Sequence, residues 1–171
     1  MKKVSAEDLV KLYEMQPHPE GGFYRETYRD ARLLPASALP GFSGPRPAST
    51  AIHFLLPRGA RSRLHRLKSD EVWHFHLGGP LHIVSIAPDG AVADVVLGAD
   101  AASGERLQHA VPAGHWFGAY PDAAADYAFV GCTVAPGFDF ADFELGRRAE
   151  LLRLFPAARA TVELLTEARD G

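Results

Sequence analysis

Histidine and acidic side chains are dense between residues 65 and 76. This stretch, HRLKSDEVWHFH, contains His65, Asp70, Glu71, His74 and His76. Imidazole and carboxyl groups exchange protons near neutral pH when their surroundings shift their pKa, and both are common metal ligands. We therefore expect the chemistry of this protein, either proton transfer or metal binding, to be located here.

Strand periodicity separates these groups, because successive side chains of a strand point to opposite faces. In residues 71–77, Glu71, Trp73 and Phe75 share one face, whereas the two histidines of that segment point to the other. His65 lies across a short turn and is predicted to reach Glu71. A carboxyl group among aromatic rings is disfavoured in its charged form unless a donor or cation pairs with it. We interpret His65 and Glu71 as catalytic residues, with Trp73 and Phe75 against the ligand.

Two further segments place aromatic and cationic groups within reach of such a pocket. Tyr24 and Arg25 belong to a predicted strand with mixed faces, so they either contribute to the pocket or form an edge strand or a subunit contact. Trp116 and Phe117 follow a tight Pro-Ala-Gly turn, and they either line the pocket or fill the interior of the β-structure predicted below. We include all four as ligand-binding residues.

Short segments rich in β-branched and aromatic residues follow one another from residue 49 to residue 136. Turns with Gly, Pro, Asp and Ser separate them, and no helical pattern intervenes. Even spacing of this kind predicts an antiparallel sandwich or barrel, because a parallel sheet requires crossover helices. Apolar residues at helical spacing predict helices at about 5–15 and 147–168. The expected fold class is all-β with short terminal helices, with the barrel at about 22–145.

The segment 34–47 contains Pro, Gly, Ala and Ser with little periodicity, and it predicts a long loop. A lid, an ordered surface excursion and a mobile loop are all compatible with that composition.

The length and the net charge of the chain limit its fold and its partners. Its 171 residues fit a single domain over 1–171, and its net charge of −3 gives no basis for binding nucleic acid.

The single Cys132 excludes an internal disulfide and lacks a basic neighbour, so we expect it to be inert packing in a cytoplasmic protein. The first residues carry charges where a signal peptide would be apolar, and no stretch is long and apolar enough to span a membrane. We therefore expect neither a membrane nor a nucleic-acid partner.

The histidine-rich stretch also resembles the first cupin motif. Gly59, His65, Glu71 and Gly78 stand at the spacings of that motif, whereas Leu67 occupies the place of its second histidine. In the second cupin motif Pro112 and Gly114 match, but Phe117 occupies the histidine position. The chain as a whole resembles the uncharacterised cupins of the DUF985 or Cupin_5 type, over most of residues 9 to 145. The shared stretches are HPEGGFYRETYRD, STAIHFLL, LHRLKSDEVWHFHLG, VPAGHWFGA and GCTVAPGFDFADFEL.

The resemblance implies a double-stranded β-helix, the cupin jelly-roll barrel, and a homodimer. It also implies that a divalent metal, where one is bound, is held by His65 and Glu71, because the other two family positions are apolar here. Strand parity makes His115 a further candidate ligand, two residues along the strand from Phe117. Two or three protein ligands make a weak transition-metal site. We therefore predict no firmly bound cofactor.

Three functions remain open at this stage. The first is a metal-independent, epimerase- or isomerase-like enzyme for a small polar or sugar-like molecule, with His65 as the base and Glu71 or Tyr24 as the donor. The second is a non-catalytic small-molecule binding or sensor protein. The third is a metal-dependent cupin dioxygenase or isomerase.

Overall fold

The computed structural model describes residues 4–168, whose main elements are antiparallel strands. The helices are α1 (Ala6–Leu12), α2 (Arg148–Leu154) and α3 (Arg159–Leu165). The strands are β1 (Gln16–Pro17), β2 (Phe23–Arg29), β3 (Leu33–Leu34), β4 (Arg46–Pro47), β5 (Thr50–Pro57), β6 (Ser62–Arg66), β7 (Asp70–Gly78), β8 (Leu81–Ile86), β9 (Val92–Leu97), β10 (Gln108–Val111), β11 (Trp116–Pro121), β12 (Tyr127–Ala135) and β13 (Glu144–Leu145). The predicted class, mostly β with short terminal helices, is confirmed.

The strands form two larger sheets and one small one. The first sheet has the order β1–β2–β5–β12–β7–β10 and the second has the order β13–β6–β11–β8–β9, while β3 pairs with β4. Every ladder between these strands is antiparallel. Short turns join consecutive strands such as β6, β7 and β8, as the Gly- and Pro-containing segments predicted, but these strands alternate between the two sheets.

The main core lies where the two sheets face each other. Alternate residues of each strand turn inward, which gives the period of two seen in the sequence. The first sheet contributes Phe54, Leu56, Trp73, Val130 and Cys132, and the second contributes Leu81, Ile83, Phe117 and Ala119. These side chains leave one region between the sheets unfilled, and that region is the cavity described below.

Helices cover the outer faces of both sheets. Leu151, Val162 and Leu165 of α2 and α3 pack on Leu64 and Trp116 of the second sheet. Helix α1 packs Leu9 against Leu55 and Phe129 of the first sheet. Its first turn is fixed by a capping box in which Ser5 and Asp8 exchange side-chain and backbone hydrogen bonds. No helix within residues 4–168 has the length and apolar character needed to cross a membrane.

The segment 34–47 is an ordered surface excursion. It contains β4 and a short 3₁₀ turn at Ala36–Ala38. The buried Arg46 donates to both carboxylate oxygens of Asp142, over 2.6 and 2.8 Å. This bidentate pair ties the segment to the loop that precedes β13, and that loop forms one wall of the cavity.

Candidate functional site

A cavity of about 380 Å³ lies between the two sheets. Its walls come from β2, β5, β7 and β12 of the first sheet, from β6 of the second, and from the segments 16–20 and 138–143. Five groups able to exchange protons line its inner part, and their side chains are almost entirely buried: His18, Glu20, His65, Glu71 and Cys132. A cavity of this size holds a small molecule.

Glu20 and His65 form a buried pair at the inner end. Glu20 Oε2 lies 3.1 Å from His65 Nε2, and Glu20 Oε1 accepts a hydrogen bond of 2.7 Å from the Ser62 hydroxyl. His65 Nδ1 lies 2.7 Å from the Arg63 carbonyl oxygen, which can only accept, so we assign the Nδ1 proton to that bond. The Nε2 atom of neutral His65 and the Oε2 atom of ionised Glu20 are both acceptors. One proton must therefore lie between them at this distance.

Burial decides the charge of this pair. Desolvation lowers the pKa of His65 to about 4, despite its bond to the Arg63 carbonyl. Desolvation also raises the pKa of Glu20, against the opposing influence of His18, the Ser62 hydroxyl and Arg63. Near neutral pH the shared proton therefore resides mainly on Glu20, which donates it to His65. Because the two groups share it, the pair titrates as a unit.

Glu71 is a second buried carboxyl, held by β7 between β12 and β10. Its pKa is raised to about 8, mainly by desolvation and further by Glu20 when that carboxyl is ionised, while a hydrogen bond with the Cys132 thiol opposes the shift. Desolvation and the nearby Glu71 raise the pKa of the thiol as well, so Cys132 is a neutral hydrogen-bond donor and not a thiolate. Near neutral pH Glu71 is a carboxylic acid that can donate a proton into the cavity.

A tight turn before β2 positions Glu20. Gly21 and Gly22 adopt positive φ angles of 116° and 71°, and the backbone N–H of His18 donates to the carbonyl of Gly22 over 3.0 Å. A Cβ atom at Gly21 would overlap the Arg61 carbonyl, so only glycine allows this approach of the turn to β6. The Arg63 N–H then donates to the Glu20 carbonyl over 2.8 Å. The turn is therefore fixed at both ends, and the Glu20 side chain enters the cavity.

His18 lies beside this turn and contributes both a nitrogen and a ring to the cavity. Its Nδ1 atom accepts the Glu20 N–H over 3.3 Å and lies 3.4 Å from Glu20 Oε2. Burial lowers its pKa, although the carboxyl of Glu20 acts in the opposite direction. Its ring packs edge to face against Tyr24, with 4.7 Å between centroids.

The outer wall is aromatic. Phe138, Phe140 and Phe143 lie in the loop between β12 and β13, with ring centroids 5.0 to 6.3 Å apart. Phe143 also stacks on His65 at 5.3 Å. This loop therefore places apolar surface opposite the buried acids, and a ligand in the cavity would contact both.

Polar side chains of β1 and β2 surround the mouth. Tyr24 accepts a hydrogen bond of 3.0 Å from the Gln16 amide, and both line the cavity. Arg29 donates to both oxygens of Glu26, over 3.0 and 2.7 Å, and to the carbonyl of Phe138. The guanidinium of Arg29 is therefore already engaged by the protein.

The structure brings three of the predicted site residues to the cavity, namely His65, Glu71 and Tyr24. Trp73, Phe75 and Phe117 share the expected inward side, but they pack in the core beneath the cavity instead of lining it. Trp73, for example, packs edge to face against Phe54 and Phe117, with centroids 5.8 and 6.3 Å away. Large rings at these positions fill the space between the sheets.

The other predicted residues lie elsewhere. Trp116 faces α2 and α3 on the outer side of the second sheet, beneath the guanidinium of Arg66. Arg25 is exposed and pairs with Glu14, with 3.3 Å between Nη2 and the carboxylate. His115 precedes β11 and is not part of the cavity lining.

The donor set does not fit a cupin metal. Leu67 lines the cavity at one family ligand position, and at the other the ring of Phe117 packs 4.2 Å from that of His65. Within residues 4–168 no group of three or more His, Cys, Asp or Glu side chains is arranged to hold a metal ion. A transition metal normally requires three or more such ligands.

Sequence reasoning missed Glu20, His18 and the aromatic loop. The two glycines of the segment HPEGG are typical of a turn, and that is its backbone role. A His and a Glu directly before a turn that only glycine can make are the signal that could have indicated a site. The contact of Glu20 with His65 joins positions 45 residues apart, and strand periodicity cannot reveal it.

The free energy of unfolding is expected to decrease as the pH rises from 6.5 to 8. In this range folded Glu71, with its pKa near 8, holds a proton that an unfolded glutamate near 4.5 has lost, so rising pH favours unfolding. His65 acts in the opposite direction, but this effect fades as the pH rises above its ordinary pKa of 6.5 and is common to the wild type and the Glu71 variant. Urea unfolding at pH 6.5 and at pH 8 should therefore show a smaller decrease in the free energy of unfolding for Glu71→Gln than for the wild type. The two decreases should differ by roughly 1–2 kcal/mol. Equal losses would contradict the assignment, and the exposed Glu163→Gln serves as control.

Comparison with known proteins gives consistent results. The family described as Cupin superfamily (DUF985), Cupin_5, matches residues 7–146. An uncharacterized protein of Saccharomyces cerevisiae is 30% identical over 148 residues, which is 81% of this chain and 73% of the yeast protein. A hypothetical protein from Leishmania major superposes with a TM-score of 0.87 at 36% identity, covering 95% of this chain and 98% of that one. A Shewanella oneidensis protein gives 0.87 at 40% identity, covering 99% and 100%.

A more distant likeness extends to an enzyme. Oxalate decarboxylase of Bacillus subtilis superposes with a TM-score of 0.54 at 15% identity, over 89% of this chain and 37% of the enzyme. At this identity the likeness concerns the fold alone. The family match and the relatives at 30 to 40% identity cover most of the chain, which therefore belongs to the Cupin_5 (DUF985) family of the cupin superfamily.

Proposed function

We propose that the protein binds a small, partly polar molecule in its cavity and moves a proton on it without a metal, as an isomerase or epimerase does. The observation that carries this proposal is the presence of two buried acidic groups at the inner end of the cavity. One is Glu20, which shares a proton with His65, and the other is Glu71. They belong to one cavity, and their environments differ. Pairs of titratable groups with different environments commonly divide the roles of acid and base.

The two acids suit opposite roles. Glu20 has groups that favour its charged form, namely Ser62, His18 and Arg63, and a second nitrogen base beside it in His65. Among the described residues, the Cys132 thiol is the one group that favours the charged form of Glu71, and ionisation of Glu20 would oppose it. We therefore assign proton acceptance to the Glu20–His65 pair and proton donation to Glu71.

The simplest reaction is enolisation of a carbonyl compound. His65 Nε2, the unprotonated nitrogen of the Glu20–His65 pair, removes the proton from the carbon next to the carbonyl and becomes an imidazolium beside Glu20, and the C–H electron pair forms the carbon–carbon double bond of the enol. Glu71 hydrogen-bonds to the carbonyl oxygen and donates its proton there. Return of a proton to the other face, or to the neighbouring carbon, completes the isomerisation, so no oxidant or reductant is consumed.

The remaining lining suits a ligand with one polar and one apolar side. Phe54 and the loop rings provide apolar contact, and Tyr24 and Gln16 provide hydrogen-bonding groups at the mouth. A sugar-like or short-chain carbonyl compound has this combination of surfaces. A sensor without catalysis would use the same contacts, and the experiment below separates the two.

The proposal is tested by incubating the full-length protein in deuterated water with a panel of aldehydes, ketones and keto sugars. We expect at least one compound to raise the melting temperature and to acquire deuterium at a carbon next to its carbonyl, detected by mass spectrometry. A ligand that stabilises the protein but acquires no deuterium would indicate a binding protein. A panel without either effect would contradict the proposed function.

We further propose that the two sheets are those of a double-stranded β-helix in a single cupin domain, and that the chain is a homodimer. The outer edge of β2 supports the second point, because β1 pairs only with its first two residues and Tyr28 is half exposed. Light scattering should give twice the mass of one chain, and the mass of a monomer would refute the dimer. The cytoplasmic location stays a prediction.

A further inference from the structure

The charges at the mouth of the cavity limit the ligands that it can accept. Two carboxylates of the lining lie at the mouth, those of Glu26 and Asp139, against one permanent cation, Arg29, whereas the buried carboxyls at the inner end are protonated near neutral pH. Arg29 donates from Nε and Nη2 to the two carboxylate oxygens of Glu26, and its Nη1 and Nη2 atoms also donate to the Phe138 carbonyl. An anionic ligand would therefore find no unpaired cation among the described residues of the lining.

Asp139 is the carboxylate that the protein leaves without a strong partner. Within residues 4–168 its side chain accepts one hydrogen bond, from the Ala141 N–H to Oδ1 over 2.8 Å, which caps a single 3₁₀ turn. Arg29 and Arg46 interact with Asp139 electrostatically, but their guanidinium groups hydrogen-bond to other carboxylates. The second oxygen of Asp139 is thus available, and the residue is exposed.

Phe140, the residue after Asp139, is exposed in an unusual way for a large aromatic ring. It lines the cavity, yet 52% of the residue is accessible to solvent. It packs edge to face against Phe138 at 5.0 Å, while Phe143 lies 6.0 Å away. An exposed aromatic ring at the mouth of a cavity can contact a ligand there, and the face of an aromatic ring attracts organic cations.

We propose that the ligand carries a positively charged ammonium group, seated at the mouth between the ring of Phe140 and the carboxylate of Asp139. The uncharged, reactive end of the same ligand then reaches Glu20 and Glu71. Only the position of the reactive end of the ligand rests on the proposed function. The cation site is inferred separately, from Asp139, Phe140 and the hydrogen-bonded guanidinium of Arg29. The substrate class is an amino carbonyl compound, such as an amino ketone or an amino sugar.

The test uses three probes of the same shape and different charge. Choline is the cation, 3,3-dimethylbutan-1-ol is its uncharged isostere, and 3,3-dimethylbutanoate is an anion of similar size. Titration calorimetry on the full-length protein at low salt should show choline binding about three- to ten-fold more tightly than the alcohol, with the anion weakest. The advantage of choline should decrease at high salt.

Variants locate the cation. Asp139→Asn retains the cap on Ala141 but removes the charge, and Phe140→Leu retains apolar bulk but removes the ring. Each should reduce the preference for choline over the alcohol by about two- to five-fold, while Glu163→Gln on α3 leaves it unchanged. The proposal is overturned if the alcohol or the anion binds as well as choline, or if choline does not bind at about 10 mM. It is also overturned if Glu71→Gln removes the preference and Asp139→Asn does not.

These outcomes are independent of the proposed function. Deuterium exchange into an uncharged carbonyl compound, together with equal binding of choline and the alcohol, would retain the proton-transfer proposal and reject the cation. Choline binding that depends on Asp139, without deuterium exchange in any amino carbonyl compound, would retain the cation site and reject the reaction.

Discussion

Replacing Glu71 with glutamine is expected to slow deuterium exchange into the substrate by roughly 10²- to 10⁴-fold, the usual contribution of a positioned acid or base. Glutamine has nearly the shape of the neutral acid that Glu71 forms near neutral pH, and it can still accept from the Cys132 thiol. The variant should therefore fold and bind ligand. It cannot give up a proton, so the loss should appear in kcat and much less in KM.

Two comparisons sharpen this prediction. Glu144→Gln changes an exposed carboxyl that pairs with Arg66 outside the cavity, and its exchange rate should equal that of the wild type. His65→Ala should also abolish exchange, because it removes the partner that shares a proton with Glu20. If Glu71→Gln exchanges deuterium at the wild-type rate, Glu71 is not the acid.

Replacing Asp142 with alanine is expected to lower the free energy of unfolding by about 3 kcal/mol, because it leaves the buried guanidinium of Arg46 without its carboxylate. Both side chains of this pair are only 5% exposed. The same bond ties the segment 34–47 to the loop that carries Phe140 and Phe143. We therefore expect weaker ligand binding as well as a lower melting temperature.

A matched control lies two residues further along the chain. Glu144 pairs with Arg66 over 2.7 Å, but about half of each side chain is exposed. Glu144→Ala should therefore cost less than about 1 kcal/mol. Equal losses for Asp142→Ala and Glu144→Ala, measured by urea unfolding, would show that the buried pair does not hold the loop.

The fold could be predicted well because it depends on local patterns. The alternation of apolar residues in segments such as STAIHFLLP and the turns at Pro57–Gly59 and Pro88–Gly90 specify short antiparallel strands without reference to distant residues. The same alternation correctly separated Glu71 and Trp73 from His74 on opposite faces of β7. Odd and even positions along a strand lie on opposite faces of the sheet, and the need to bury the apolar face then specifies the register of the strands.

The site could be predicted only in part, because position along the strand matters as much as its face. Glu71 and Trp73 point the same way, yet Glu71 lines the cavity while Trp73 is covered by Phe54 and Phe117. Which inward residue is covered depends on contacts between the two sheets, and those contacts are distant in sequence. Glu20 and the loop of Phe138 to Phe143 approach from outside the sheets altogether, so no strand pattern includes them.

A ¹³C NMR titration of the glutamate carboxyl carbons, with Glu71→Gln and Glu20→Gln as assignment variants, measures the protonation of the two buried acids directly. We expect the Glu71 resonance to titrate near pH 8 and to be absent from the Glu71→Gln spectrum, and we expect Glu20 to titrate above its ordinary range. The Glu71 titration should change in the Glu20→Gln variant, because the two carboxyls interact. Titration of both carboxyls near 4.5, independently of each other, would contradict these expectations.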